Sequence, residues 1–237
     1  MSLDSFDLPI LRFLTSISGH SPLFDQCVGL LVKLDLTNGV MMTAFFWTAW
    51  FLRAESEKEQ HDRRNHLLIV LAGTVIAVFL SRALQHIFHV HQRPLLAGLG
   101  IPYAPIIDPT SLNAWNSMPS DHAVLYFALA TGLFCIHKRI GIVAYLWAFF
   151  IICLPRVYLG MHYPSDIAVG AVLGVAWMLM FERLPLQRIT DKILDWSEAH
   201  PGIFYGTAFV VLDQIADLFD DVRQVGVTLI KYFLGHP

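Results

Sequence analysis

The segment "HLLIVLAGTVIAVFLSRALQHIF" (66–88) holds one charged side chain, Arg82, in 23 residues. A helix crossing the apolar core of a bilayer needs roughly 20 mostly apolar residues, so this run is long enough to span one. Comparable runs cover 120–137, 142–160 and 165–183. Another span is expected at 38–52, extended backwards, and a weaker sixth at 203–219, where Asp213 and Asp217 intervene. The piece "SPLFDQCVGLLVKLD" (21–35) is short and interrupted by Asp25 and Lys33, and reads as an interfacial or re-entrant helix. In hydrocarbon every backbone polar group must be satisfied within a helix or a closed barrel. Apolar runs of helical length therefore predict an all-α fold, a polytopic membrane bundle of about six transmembrane helices.

Composition agrees. Charged residues make up 15% of the 237, against about 25% in soluble domains. The net charge of −3 gives no basic excess, so no nucleic-acid partner is expected; the bilayer is. Cys27, Cys135 and Cys153 lie in apolar segments at unrelated spacings and read as buried thiols rather than a disulfide framework or zinc site. No repeat or long linker divides the chain, so residues 1–237 form one membrane-embedded domain. Within it, 220–237 reads as a surface amphipathic helix.

Lysine and arginine in short loops set orientation. They concentrate at 53–65 (Arg53, Lys58, Arg63, Arg64), at Lys138 and Arg139, and after Arg183 (Arg188, Lys192). Those loops are assigned to the cytoplasm, which turns 89–119 and 158–164 outward. Every polar constellation then falls at the outward boundary: "HIFHVHQRP" (86–94), "PSDH" (119–122) and "PRVYLGMHYPSD" (155–166). Three turns at one depth can build one site.

The residue types suit phosphate. Arg93 and Arg156 offer planar forks for phosphate oxygens, and Ser120 with amides at a helix start adds donors. His122 and His162 can divide the roles of nucleophile and general acid. Asp166, four residues after His162, can accept an imidazole N–H and orient the ring. Pro164 suits a first helical turn, where its missing N–H is no loss. His86, His89 and His91 raise the question of a metal, but no carboxylate or thiolate joins them and their spacing does not share one face; no metal site is expected. Arg82, His86, His89 and Arg93 follow steps of four, three and four along the expected helix. Arg82, deep in its span, would pair with Asp213 or Asp217.

These motifs resemble the type 2 phosphatidic acid phosphatase superfamily, whose signature is KxxxxxxRP, PSGH and SRxxxxxHxxxD. They stand here as His86 to Arg93-Pro94, Pro119-Ser120-Asp121-His122, and Pro155-Arg156 through His162 to Asp166. The resemblance implies a helical bundle and phosphoryl transfer through a phosphohistidine, without metal or other cofactor. It makes His162 the nucleophile, Asp166 its partner and His122 the acid for the leaving group. Arg93, Ser120 and Arg156 would hold the phosphoryl group, with His86 in the lysine's place. "PSDH" in an outward site resembles the bacterial undecaprenyl-diphosphate phosphatase branch, which implies undecaprenyl diphosphate as substrate. Alternatives are a phosphatidylglycerophosphate or phosphatidate phosphatase, a lipid phosphotransferase, or a non-catalytic polyprenyl-phosphate binder. Asp121, where the family has glycine, would repel phosphate unless it turns away or binds a basic neighbour.

Overall fold

A computed structural model describes residues 3–87, 91–101, 103–109, 116–219 and 225. The described residues are helical with one isolated β-bridge, Gln92 to Asn116. In chain order the helices are α1 (Leu3–Thr15), α2 (Pro22–Lys33), α3 (Leu36–Phe51), α4 (Glu57–Ile87), α5 (Asp121–Ile136), α6 (Lys138–Tyr158), α7 (Pro164–Phe181), α8 (Gln187–Ala199) and α9 (Pro201–Ala216). Apart from Val225, the segment 220–237 lies outside the described residues, as does His89.

Among the described residues three helices, α4, α6 and α7, are long and apolar enough to cross a membrane, and a fourth crossing exists if α2 and α3, bent by 70° at their junction, count as one. The apolar α5 is shorter, at 16 residues. The expected spans at 38–52, 120–137, 142–160, 165–183 and 203–219 all coincide with helices. The 21–35 segment is a helix folded against its successor, as a broken or re-entrant element would be. Two helices were not expected: α1, where Pro9 speaks against a helix, and the amphipathic α8, hidden among the basic residues after Arg183.

Local chemistry sets the boundaries that matter for the site. Ser120 caps α5, its Oγ accepting from the amide of Ala123 at 3.4 Å. Pro164 opens α7, and Asp166 Oδ2 in its first turn accepts the Tyr163 amide at 2.8 Å. The buried Asp7 of α1 reaches the same turn, accepting from the Ser165 amide at 2.8 Å and its hydroxyl at 2.6 Å. A second buried carboxylate, Asp25, accepts the Gly19 amide at 3.0 Å and the Tyr158 hydroxyl. Helices α1 and α2 are thereby tied to the start of α7 and the end of α6.

Helices α5 and α7 pack closely through Gly170 and Gly174, a small-xxx-small pair. A Cβ on Gly170 would stand 2.7 Å from the Ser120 carbonyl oxygen, and one on Gly174 2.4 Å from that of Val124. Beneath the 159–163 turn, α1, α5, α6 and α7 share a core of Leu11, Ala123, Cys153, Val157, Tyr163 and Ile167. The basic loops meet at the other pole, where Asp191 accepts from Asn65 at 2.6 Å and lies 3.0 Å from His61 Nε2, with His66 3.3 Å from Glu182. Between the poles runs α4, about 46 Å long at 1.5 Å per residue.

Candidate active site

Among the described residues α4 runs to Ile87, and residues 91–93 are not helical, so Arg93 is not on it. Pro94 disfavours a helical conformation at residue 93, and Gln92 instead pairs with Asn116. The expected face shared by Arg82, His86 and Arg93 is therefore lost. His86 is exposed in the last turn of α4 and makes no hydrogen bond or ion pair with the cluster among the described residues. Arg82 reaches the α9 end, where it donates to the Leu218 carbonyl at 2.5 Å, next in sequence to Asp217.

The non-helical segment brings Arg93 to the α6–α7 turn. Its Nη1 donates to the Met161 carbonyl at 2.9 Å and stands 3.4 Å from His162 Nε2. The turn itself depends on Gly160 (φ +70°), over which Tyr103 packs, with Cε1 2.6 Å from where a Cβ would be. The buried His162 points Nδ1 at two acceptors, the Ser117 carbonyl at 3.0 Å and Asp166 Oδ2 at 3.5 Å. Carbonyl oxygen accepts only, so Nδ1 carries the proton and the lone pair sits on Nε2, facing Arg93. Burial holds the pKa of His162 below its ordinary value; Arg93 pushes the same way, while Asp166 and Asp121 oppose them. The ring is thus a neutral, oriented base at neutral pH.

Asp166 is fully buried and accepts three donors' attention: the Tyr163 amide and His162 at Oδ2, and His91 Nδ1 at Oδ1, 3.3 Å away. His122, in the first turn of α5, turns Nδ1 to Asp121 Oδ1 at 3.0 Å, and its amide donates to the same oxygen at 2.9 Å. Asp121 therefore does bind a basic neighbour. It also occupies an amide expected to face phosphate, and Ser120 occupies that of Ala123. The Ser120 hydroxyl can still donate while its oxygen accepts the cap.

Arg156 is buried and engaged by other partners. Its Nη1 donates to the Ile152 carbonyl at 2.6 Å and Nη2 to Asn38 Oδ1 at 3.1 Å, leaving Nε without a partner. Asn38, at the α2–α3 bend, donates in turn to the carbonyls of Val32 at 2.8 Å and Leu34 at 3.0 Å. The structure thus unites Arg93, His162 and Asp166 by contact. Ser120 joins them through its amide on the Asp166 carbonyl at 3.2 Å. His122 and Arg156 make no hydrogen bond to that group, and His86 does not reach it.

Several supporting residues had escaped sequence reasoning. Gln85 donates to the Pro119 carbonyl at 2.6 Å, and Asn116 to those of Gln85 and Met118, each at 2.9 Å. These bonds fix the 116–119 segment that offers the Ser117 carbonyl. A backbone acceptor leaves no trace in side-chain spacing; the Gly170–Gly174 pair was legible. No group of histidine, cysteine and acidic residues able to hold a metal occurs among the described residues.

The PAP2 superfamily pattern matches residues 66–189, more than half the chain. The chain belongs to the PAP2 superfamily. This PAP2 chain is 40% identical over 190 residues to the lipid A 4'-phosphatase of Bacteroides thetaiotaomicron, covering 76% of itself and 77% of that protein. It is 25% identical over 182 residues to the bacitracin transport permease protein BcrC of Bacillus licheniformis (74% and 78% covered). With the putative undecaprenyl-diphosphatase YbjG of Escherichia coli it shares 23% over 173 residues (73% and 79% covered). Its fold is similar to that of crystalline LpxE from Aquifex aeolicus, with a TM-score of 0.51 at 21% identity, over 78% of this chain and all of that one. As a PAP2 phosphatase the protein is an enzyme acting on lipid phosphates.

Proposed function

We propose that this enzyme removes phosphate from a lipid phosphate or diphosphate through a phosphohistidine on His162, at the outer face of the inner membrane. The observation that carries this reading is the geometry at His162: Nδ1 faces the oxygens of Ser117 and Asp166, which leaves the lone pair on Nε2, 3.4 Å from Arg93 Nη1. A phosphoryl group entering beside Arg93 meets that lone pair. Nε2 attacks phosphorus, the bond to the leaving oxygen breaks, and protonated His122 supplies the proton that oxygen needs. Asp121 supports the imidazolium that His122 must be for this step. Water then attacks the phosphohistidine, giving its proton back to His122 and releasing phosphate. Ser120 and Arg156 complete the proposed clamp; Arg156 must turn from Ile152 to do so, and its unpartnered Nε is the group with most to gain.

Six crossings, counting α2–α3, α4, α5, α6, α7 and α9, would carry the site to the outward side by the positive-inside rule. For substrate the reading is undecaprenyl diphosphate, giving the monophosphate and recycling the lipid carrier of peptidoglycan synthesis. The "PSDH" variant and the similarity to YbjG support it. The 40% identity to a lipid A 4'-phosphatase favours a second reading, a saccharide-lipid phosphomonoester. Phosphate release by the purified protein in EDTA, compared between undecaprenyl diphosphate and lipid A, separates the two. Acid-labile label on His162 tests the intermediate, and full turnover by His162→Ala would remove it.

A further inference from the structure

Asp166 has two oxygens and only one of them serves His162. Oδ2 accepts the Tyr163 amide at 2.8 Å and faces His162 Nδ1 at 3.5 Å. Oδ1 faces away, and His91 Nδ1, 3.3 Å distant, is its one donor among the described residues. The Asp166 side chain is fully buried, so bulk solvent does not reach that oxygen. A buried carboxylate oxygen left without a donor is costly, and it would be relieved by rotating the carboxylate and drawing Oδ2 from His162.

His91 is itself built in rather than lying loose on the surface. Its amide donates to Asn116 Oδ1 at 3.2 Å, and its carbonyl accepts the Ser117 amide at 2.9 Å and hydroxyl at 3.3 Å. Its ring packs on Tyr163, centroids 5.0 Å apart. The same two residues, 91 and 117, thus reach the nucleophile from both sides: Ser117 holds His162 directly, and His91 holds the carboxylate beside it.

We infer that His91 is a positioning residue for phosphoryl transfer, acting through Asp166 by donating Nδ1–H to Oδ1 and so keeping Oδ2 on His162. The role rests on His162 as the nucleophile. Residue 91 falls inside the first of the three motifs, at a position whose side chain that pattern leaves unspecified.

The test uses side chains that differ in where they place a donor. Asparagine puts its amide N–H near the position of histidine Nδ1, glutamine near Nε2, and leucine offers neither. Undecaprenyl diphosphate turnover should fall about 10–100-fold in kcat for His91→Leu, the scale of a charged hydrogen bond lost in a buried site, with KM within about twofold. His91→Asn should recover most of kcat and His91→Gln much less. Should His91→Leu not fold, the Asn-against-Gln contrast still decides. Equal kcat in those two, an unaltered His91→Leu, or a rise in KM with kcat kept would each overturn the inference, the last making residue 91 a substrate contact. His162→Ala in the same assay separates the readings: if it retains turnover, the nucleophile assignment has failed rather than His91 alone.

Discussion

Asp166→Asn removes a charge while keeping shape, and the structure sets how much that should matter. Where a carboxylate alone fixes the histidine tautomer, the amide lets the ring flip and activity drops about 10,000-fold. Here the Ser117 carbonyl, 3.0 Å from Nδ1, is nearer than Asp166 Oδ2 at 3.5 Å. It continues to demand a proton on Nδ1 after the substitution. What remains to lose is the carboxylate's attraction for the imidazolium character of the phosphorylated ring. Opposite charges about 4 Å apart attract by about 4 kcal/mol at an effective dielectric constant of 20. Their centres lie somewhat farther apart than the contacting atoms, so ~3–4 kcal/mol is expected, about 100- to 1,000-fold in kcat. The asparagine oxygen can keep the Tyr163 amide, so the start of α7 should hold. Single-turnover phosphate release gives the rate, and nitrogen-15 chemical shifts of labelled histidine give the tautomer. A loss near 10,000-fold with His162 protonated on Nε2 would refute the role given to Ser117; a loss under tenfold would refute the electrostatic role given to Asp166.

Gly174→Val should separate α5 from α7, because even its Cβ would stand 2.4 Å from the Val124 carbonyl oxygen; a destabilisation of about 1–3 kcal/mol is expected for such overpacking. Thermal unfolding in detergent should show it, with Gly202→Val, where a Cβ meets nothing within 4 Å, as the unaffected control. Asp7→Ala leaves the Ser165 amide and hydroxyl unpaired and should cost about 2–4 kcal/mol, whereas Asp7→Asn should recover part of it; equal melting temperatures would remove the claim that α1 anchors α7. Because burial and Arg93 lower the pKa of His162, its neutral form persists to pH values below the ordinary histidine range. A depressed pKa means stability present above about 6.5 and lost as pH falls towards the folded value. If His162 is the nucleophile as proposed, its acid limb in kcat/KM should likewise lie below about 6.5, and a limb above it would contradict the buried, neutral ring.

Much of the architecture was legible because lipid imposes a simple demand: apolar runs of sufficient length, helical throughout. The spans near 66–88, 120–137, 142–160 and 165–183 follow from that demand, as does the gathering of three polar motifs at one pole. Helix α1 escaped because Pro9 argues against it locally, and what holds it is Asp7 buried on a turn more than 150 residues away. His86 was assigned by its place in the family pattern, where the lysine stands; the separate expectation of one face shared with Arg82 and Arg93 assumed a continuous helix. Residues 91–93 are not helical, so the shared face with Arg93 is not formed.

By itself the sequence determined which residue types could meet phosphate, on which loops, and in what order: Arg93, Ser120, His122, Arg156, His162 and Asp166. Hydropathy and charge act along the chain, so a linear reading suffices for them. Tertiary structure alone decided which nitrogen of His162 carries the proton, that Arg156 turns towards Asn38, and that His91 joins the carboxylate. Those outcomes depend on backbone carbonyls and on side chains from separate helices. Hydrogen bonds distinguish positions by tenths of an ångström, and distances between remote segments are fixed only when α5 and α7 close on Gly170 and Gly174.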